Sequence, residues 1–194
     1  MYTQALTRRR RAGHVMLAIC SSAILVGSAV GSASAVDTIT QVVTAGTRSA
    51  SVADLTLGSV AYSHSAQTST GTMTLTADDS TGSNLGWNVT VQSSAFVYSG
   101  ANSGTNIPAA NFALTSAATP ARTAGQAVDA VAGPRVPAIS PVGTLDSARK
   151  TVQAVVLFGN GTYTQALGVT LTIPADSAAG TYTGTITTTI AAAP

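Results

Sequence analysis

The residues able to do chemistry in this chain are few, and their types rule out most reactions. There are two histidines and one cysteine. Glutamate is absent, so the seven acidic residues are all aspartates. Beyond residue 35 the only imidazole is His64, and Cys20 lies upstream of that point. A cysteine nucleophile is therefore excluded from 36–194, and a zinc site there is short of ligands. A Ser-His-Asp relay would have to be built on His64, but no G-x-S-x-G turn is present to expose a serine. Asp78 and Asp79 are the nearest thing to a carboxylate pair. Adjacent residues of a strand point to opposite faces, which argues against a shared acid and base. The polar stretch from Asp78 to Asn84 also lacks the closing Glu of a calcium loop, so the plain expectation is an Asx-type turn. These residues predict no enzyme, no metal and no cofactor.

Binding chemistry has a better candidate. Trp87, the one tryptophan, follows a polar turn in the run Asp79-Ser-Thr-Gly-Ser-Asn-Leu-Gly-Trp-Asn-Val-Thr-Val91. An aromatic face can hold a sugar by apolar contact, and Asp79, Asn84 and Asn88 would stand beside it as polar partners. The same ring has a structural reading. Trp87, Val89 and Val91 alternate with Asn88, Thr90 and Gln92, which puts the indole in phase with two valines on the inward face of a strand. Asn88-Val-Thr90 and Asn160-Gly-Thr162 match a glycosylation pattern, which is too short to assign a role.

Period-two alternation is the dominant pattern of the whole region, and no stretch beyond residue 35 has the period of a long amphipathic helix. Met73, Leu75 and Ala77 alternate with threonines. Tyr163, Leu167, Val169, Leu171 and Ile173 do the same, as do Tyr182, Ile186 and Ile190 against Thr181, Thr183, Thr185, Thr187 and Thr189. Threonine suits the outer face because branching at Cβ favours a strand and the hydroxyl tolerates water. Trp87, Val89, Val91, Tyr163, Leu171 and Tyr182 are the expected structural anchors. Further strands are predicted at 39–44, 51–62, 95–98, 111–114 and 152–158. Between 116 and 147 the composition shifts to Ala, Pro and Gly without sustained alternation, which predicts a long surface loop with short strand segments. The expected fold is all-β, an immunoglobulin-like or related antiparallel β-sandwich, in one domain over 36–194.

The first 35 residues read as a secretory signal. Arg8, Arg9, Arg10 and Arg11 precede the apolar run 15–30, and Ala33-Ser34-Ala35 supplies a small-residue cleavage site. The apolar run is too short for a comfortable membrane span, so no stable span is expected after cleavage. Nine basic and seven acidic residues give the whole chain a formal charge of +2. Removing those four arginines leaves five basic residues against seven acidic, or about −2. Arg48, Arg122, Arg135, Arg149 and Lys150 are too scattered to form the basic track that nucleic acid requires.

The exported precursor, the run Gly86-Trp-Asn-Val-Thr-Val91 with the following Ser93-Ser-Ala-Phe96, and the closing Leu171-Thr-Ile-Pro-Ala-Asp-Ser-Ala-Ala-Gly-Thr-Tyr-Thr-Gly-Thr185 together resemble the WxL-domain proteins of Gram-positive surfaces. Val89 stands where the name-giving Trp-x-Leu has Leu, and there is no second Trp. The resemblance implies a secreted β-rich domain at the cell surface that binds peptidoglycan, a cell-wall polymer, without a covalent bond and works with other surface proteins. The alternative expectation is a fibre, coat or adhesive subunit that associates with further copies through Thr-rich strand edges, with 36–46 as a free N-terminal extension.

Overall fold

The protein is represented by a computed structural model that describes residues 38–193. The signal segment and its cleavage site lie outside the described residues. The chain divides into two units, Met1–Gln41 and Val42–Pro194. Of the first only 38–41 is described, without regular structure. All the strands belong to the second.

Eleven strands form among the described residues, with one 3-10 turn at Ala109–Asn111. They are β1 (Arg48–Val52), β2 (Gln67–Asp79), β3 (Trp87–Ser93), β4 (Val97–Ser99), β5 (Phe112–Ala117), β6 (Ala121–Gly125), β7 (Gly143–Thr144), β8 (Arg149–Ala154), β9 (Gly161–Ile173), β10 (Thr181–Thr183) and β11 (Ile186–Ala192). The fold is all-β, and every pairing is antiparallel. The largest sheet runs β1-β2-β9-β5-β7, with β6 on β9; β11-β3-β8 forms a second, and β10-β4 a third.

The backbone of this arrangement is the β2–β9 pair, in register over all thirteen residues from Gln67 opposite Ile173 to Asp79 opposite Gly161. These strands carry the longest Thr/apolar alternations. A one-residue slip would turn every Met, Leu and Val to solvent, so the alternation fixes the register. Met73, Leu75 and Ala77 of β2 meet Tyr163, Leu167, Val169 and Leu171 of β9 in one buried cluster. Trp87, Val89 and Val91 of β3 and Val152 and Ala154 of β8 join it from the second sheet. Gln165 lies on the same inner face of β9 and is buried. Its Nε2 donates to Ala118 O at 2.9 Å and to Thr151 O at 3.0 Å, tying β9 to the chain on both sides.

Several boundaries differ from the alternation. The expected strand at 39–44 has no regular structure, and that at 51–62 ends at Val52. After Val52 the inward residues change from pairing to filling. Leu55 and Leu57 pack in the space that a side chain at Gly71 would occupy. The stretch 181–190 is two strands, because β10 pairs with β4 and β11 with β3, with Gly184 and Thr185 between them. The region 116–147 contains β6, β7 and the fully buried Leu145, whose carbonyl accepts from Ser93 N at 2.7 Å.

Candidate binding surface at the tryptophan end

Trp87 opens β3, and its indole is 0% exposed. The chain reaches it through Gly86, at φ +68°, where a Cβ would fall 2.6 Å from Ala154 O and from the Val155 carbonyl carbon. Glycine therefore permits both the left-handed turn and the close approach to β8. The ring stands 6.1 Å from that of Tyr163, tilted by 43°. Its Nε1 donates to Gly159 O at 2.8 Å. Gly159 has φ +89°, and a Cβ on it would sit 2.6 Å from Nε1, so this backbone lies directly against the indole.

The buried ring thus anchors the β8–β9 loop, 155–160. Gln126 clamps it from outside: Oε1 accepts from Gly159 N at 2.8 Å and Nε2 donates to Leu157 O at 3.0 Å. Tyr163 Oη donates to Gln126 O at 2.8 Å and closes the arrangement. Burial raises the Tyr163 phenol above its ordinary value; Arg122 opposes the rise and the Asp79 charge adds to it. The phenol therefore stays a donor at neutral pH. Leu157 N donates to Asn84 O at 2.8 Å, and the Asn160 amide hydrogen-bonds Asn84 Oδ1.

This scaffold holds an apolar surface in water. Leu85, Val155, Val156 and Leu157 are all exposed, Leu157 by 63%. Leu157 is held at φ +72°, a conformation that costs a bulky residue of order 1–3 kcal/mol and persists only when its surroundings impose it. Hydrogen bonds from Leu157 N and Asn160 to Asn84 bring these four exposed aliphatic residues to one end of the domain, beside the Asn84 side chain, which makes this loop the candidate binding surface. Sequence reasoning misses it, since Val155 to Phe158 continues the pattern of β8. The one available signal is the Gly159-Asn-Gly161 turn that follows.

The other sequence candidates separate. Trp87 is sealed, so direct contact of its ring with a ligand is corrected to support of the loop above it. Asp79 is also buried and cannot receive a ligand: Oδ2 accepts from Arg48 Nη2 at 2.9 Å, and Oδ1 accepts from Thr81 N at 3.1 Å and Thr81 Oγ1 at 2.6 Å. Asn84 is exposed at the patch, and Asn88 is half-buried on the opposite strand face from Trp87. Asp78 accepts from Ser80 Oγ and Thr162 Oγ1 at 2.7 and 2.6 Å, so neighbouring hydroxyls occupy both its oxygens. No group of three or more metal-ligating side chains occurs among the described residues. His64 Nδ1 lies 2.5 Å from Asp176 Oδ1 on open surface, with Tyr62 Oη donating to the same oxygen at 3.0 Å. That hydrogen bond, with some desolvation and the Asp176 charge, raises the Tyr62 phenol. No serine hydroxyl is hydrogen-bonded to His64 among the described residues, so no nucleophilic relay is assembled.

The WxL domain family, described as surface cell wall-binding, matches residues 32–194. The chain belongs to the WxL family. No curated protein and no solved structure gives a significant match. Membership makes this a secreted, non-catalytic WxL domain of the cell surface with a wall-binding role. Among the described residues no helix is long and apolar enough to cross a membrane.

Proposed function

We propose that the WxL domain binds peptidoglycan non-covalently, and that the β8–β9 loop surface is where it does so. The observation that carries this reading is the exposed Leu85, Val155, Val156 and Leu157 patch, edged by Asn84 and Asn160 and braced from below by Trp87. Peptidoglycan alternates amides with methyl groups on its N-acetyl sugars and stem peptides. Aliphatic side chains would cover those methyls while the exposed Asn84 amide, held in place by Asn160, donates a hydrogen bond to the polymer. The loop's fixed geometry lowers the ordering cost of binding. We also propose an immunoglobulin-like sandwich, supported by the core shared between the β1-β2-β9-β5-β7 and β11-β3-β8 sheets, and release of the domain by cleavage after Ala35, supported by the signal pattern. Other surface proteins are proposed as additional partners on the strength of the family.

Sedimentation with purified cell-wall sacculi tests the binding reading. The secreted protein should pellet with sacculi in high salt, because the contact is apolar and amide-based. The double variant Val156→Asp with Leu157→Asp should lose at least about tenfold in affinity, two desolvated charges costing more than the 1.4 kcal/mol that tenfold represents. Its melting temperature should stay within about 2 °C of wild type, as both side chains are outside the core. Undiminished pelleting of a folded double variant would remove this surface from the reading.

A further inference from the structure

Five cations lie beyond residue 35, and three of them gather about β8. Arg149 and Lys150 open the strand, and Arg135 stands on the neighbouring rung, its N donating to Gln153 O at 2.9 Å. None of the three is in an ion pair among the described residues, whereas Arg48 is taken by Asp79. Arg149 and Lys150 line a cavity of about 390 Å³ whose other wall is 137–141. That volume is of the order of a small-ligand site, and no acidic residue lines it. The cavity shares no residue with the β8–β9 loop surface. Arg149 and Val155 are about 20 Å apart along the strand.

Arg149 is held ready for a ligand. Its Nε donates to Thr144 O at 3.0 Å, and its guanidinium lies against Gly143 of β7. A Cβ on Gly143, at φ +142°, would fall 2.8 Å from Arg149 Cζ and Nη2, so glycine leaves the berth that the group occupies. Nη1 and Nη2 have no hydrogen-bond partner among the described residues, which leaves a fixed fork for two oxygens. Asp146 does not occupy that fork: its Oδ1 accepts from Thr144 Oγ1 at 2.7 Å, and it makes no ion pair with Arg149. Gln153 and Ser140 also line the cavity. Ser140 Oγ accepts from Val142 N at 3.3 Å, and its own proton is left to donate. Cations and neutral donors without a carboxylate make a receptor for an oxyanion.

The pair of charges narrows the class of oxyanion. A single carboxylate end group would fill the fork of Arg149 and leave Lys150 unused, whereas a polymer that repeats its charge uses both. Two cations are enough for consecutive phosphodiesters and too few for the long track that a nucleic-acid duplex requires. Pro137, Ile139 and Pro141 line the opposite wall and would cover the carbon skeleton between phosphates.

We propose that this cavity binds an anionic, phosphodiester-linked polymer of the cell wall, Arg149 taking both non-bridging oxygens of one group and Lys150 the charge of the next. It is a second wall contact of the WxL domain. It rests on the family's wall-binding role and not on the β8–β9 surface.

Isothermal titration of the secreted protein with a synthetic poly(glycerol phosphate) oligomer tests this. Wild type should bind the oligomer in low salt and release it at about 1 M salt, where charge attraction reaches only about 3 Å. Arg149→Gln and Arg149→Lys should each weaken binding at least about tenfold, since Lys keeps the charge but not the fork. Lys150 is exposed, so Lys150→Gln should keep the wild-type melting temperature while weakening binding and flattening its salt dependence. Neutral polyglycerol and polyglutamate should bind at least about tenfold more weakly than the phosphate oligomer. The Val156→Asp with Leu157→Asp variant should keep its oligomer affinity, and Arg149→Gln should still pellet in high salt with sacculi freed of phosphodiester polymers, so the two surfaces fail separately. The proposal is overturned if wild type does not bind the oligomer, if polyglutamate binds equally well, or if neither Arg149→Gln nor Lys150→Gln changes the affinity. Capture by phosphatidylglycerol vesicles in preference to the oligomer would overturn it too.

Discussion

Trp87→Ala should be the most damaging single truncation in the domain, lowering stability by about 3–5 kcal/mol through lost transfer energy and the cavity left behind. For a domain of this size that corresponds to a fall in melting temperature of roughly 10 °C or more. The site cannot readily collapse around the loss, because the indole packs against Tyr163, Ala154 and the backbone of Gly159. Trp87→Phe separates two roles. It keeps most of the apolar bulk but leaves Gly159 O without its donor, at a cost of about 1–3 kcal/mol for a buried carbonyl. The Phe variant should stay folded at room temperature while the 155–160 amides exchange faster with solvent, and its affinity for sacculi should fall with that loss of order. Thermal unfolding and hydrogen exchange measure the two effects. A Trp87→Ala protein that melts like wild type would show that the indole is not the anchor of this end. Gly159→Ala attacks the same contact from the other side. Its methyl would sit 2.6 Å from the indole nitrogen at φ +89°, so it should destabilise the domain and loosen the loop as well.

The contrast between Trp87 and its loop illustrates what the sequence can convey. Alternation with Val89 and Val91 places the indole on the inner face, and the long Thr/apolar runs of β2 and β9 specify a β fold, because period two leaves one face for the core and one for water. The same alternation misleads where a strand stops for reasons of packing. Val52 and Ala154 are both followed by residues that would continue a strand. Leu55 and Leu57 turn in to fill the space at Gly71, and the 155–160 loop turns away to wrap the indole. Leu157 carries no mark of its positive φ, which hydrogen bonds to Asn84 and Gln126, distant in sequence, hold in place. Gln165 looks like an interruption of an apolar face. Only the carbonyls of Ala118 and Thr151, distant in sequence, make sense of it. Asp79 and Asn84 fall together in the polar turn before Trp87, yet one is sealed and the other exposed. Which is which depends on Arg48, thirty-one residues upstream of Asp79.

That ion pair sets the other large expected effect. Asp79→Ala should cost about 3 kcal/mol, the low end of what breaking a buried pair costs, since Arg48 retains some solvent contact at 14% side-chain exposure. The substitution strands the guanidinium and also frees the Thr81 amide and hydroxyl that close the turn leading to Trp87. Burial by itself pushes the Asp79 carboxyl up. The hydrogen bonds from Arg48 and Thr81, together with the guanidinium charge, outweigh burial and hold it below its ordinary value. A carboxyl lowered on folding stabilises the native state fully above its unfolded pKa of about 3.9, and that contribution fades as pH falls from there through the lowered folded value. Wild type should therefore lose stability on acidification below about pH 4. Asp79→Asn separates charge from shape. Its Oδ1 can still accept from Thr81, but its Nδ2 faces Arg48 as donor against donor, so the variant should be intermediate in stability at pH 7. It should also lack this component of the acid slope, since an amide has no proton to gain. Denaturant unfolding at pH 7 and pH 3 measures both quantities. An unchanged acid slope in Asp79→Asn would mean that the Arg48 contact does not hold the carboxyl ionised.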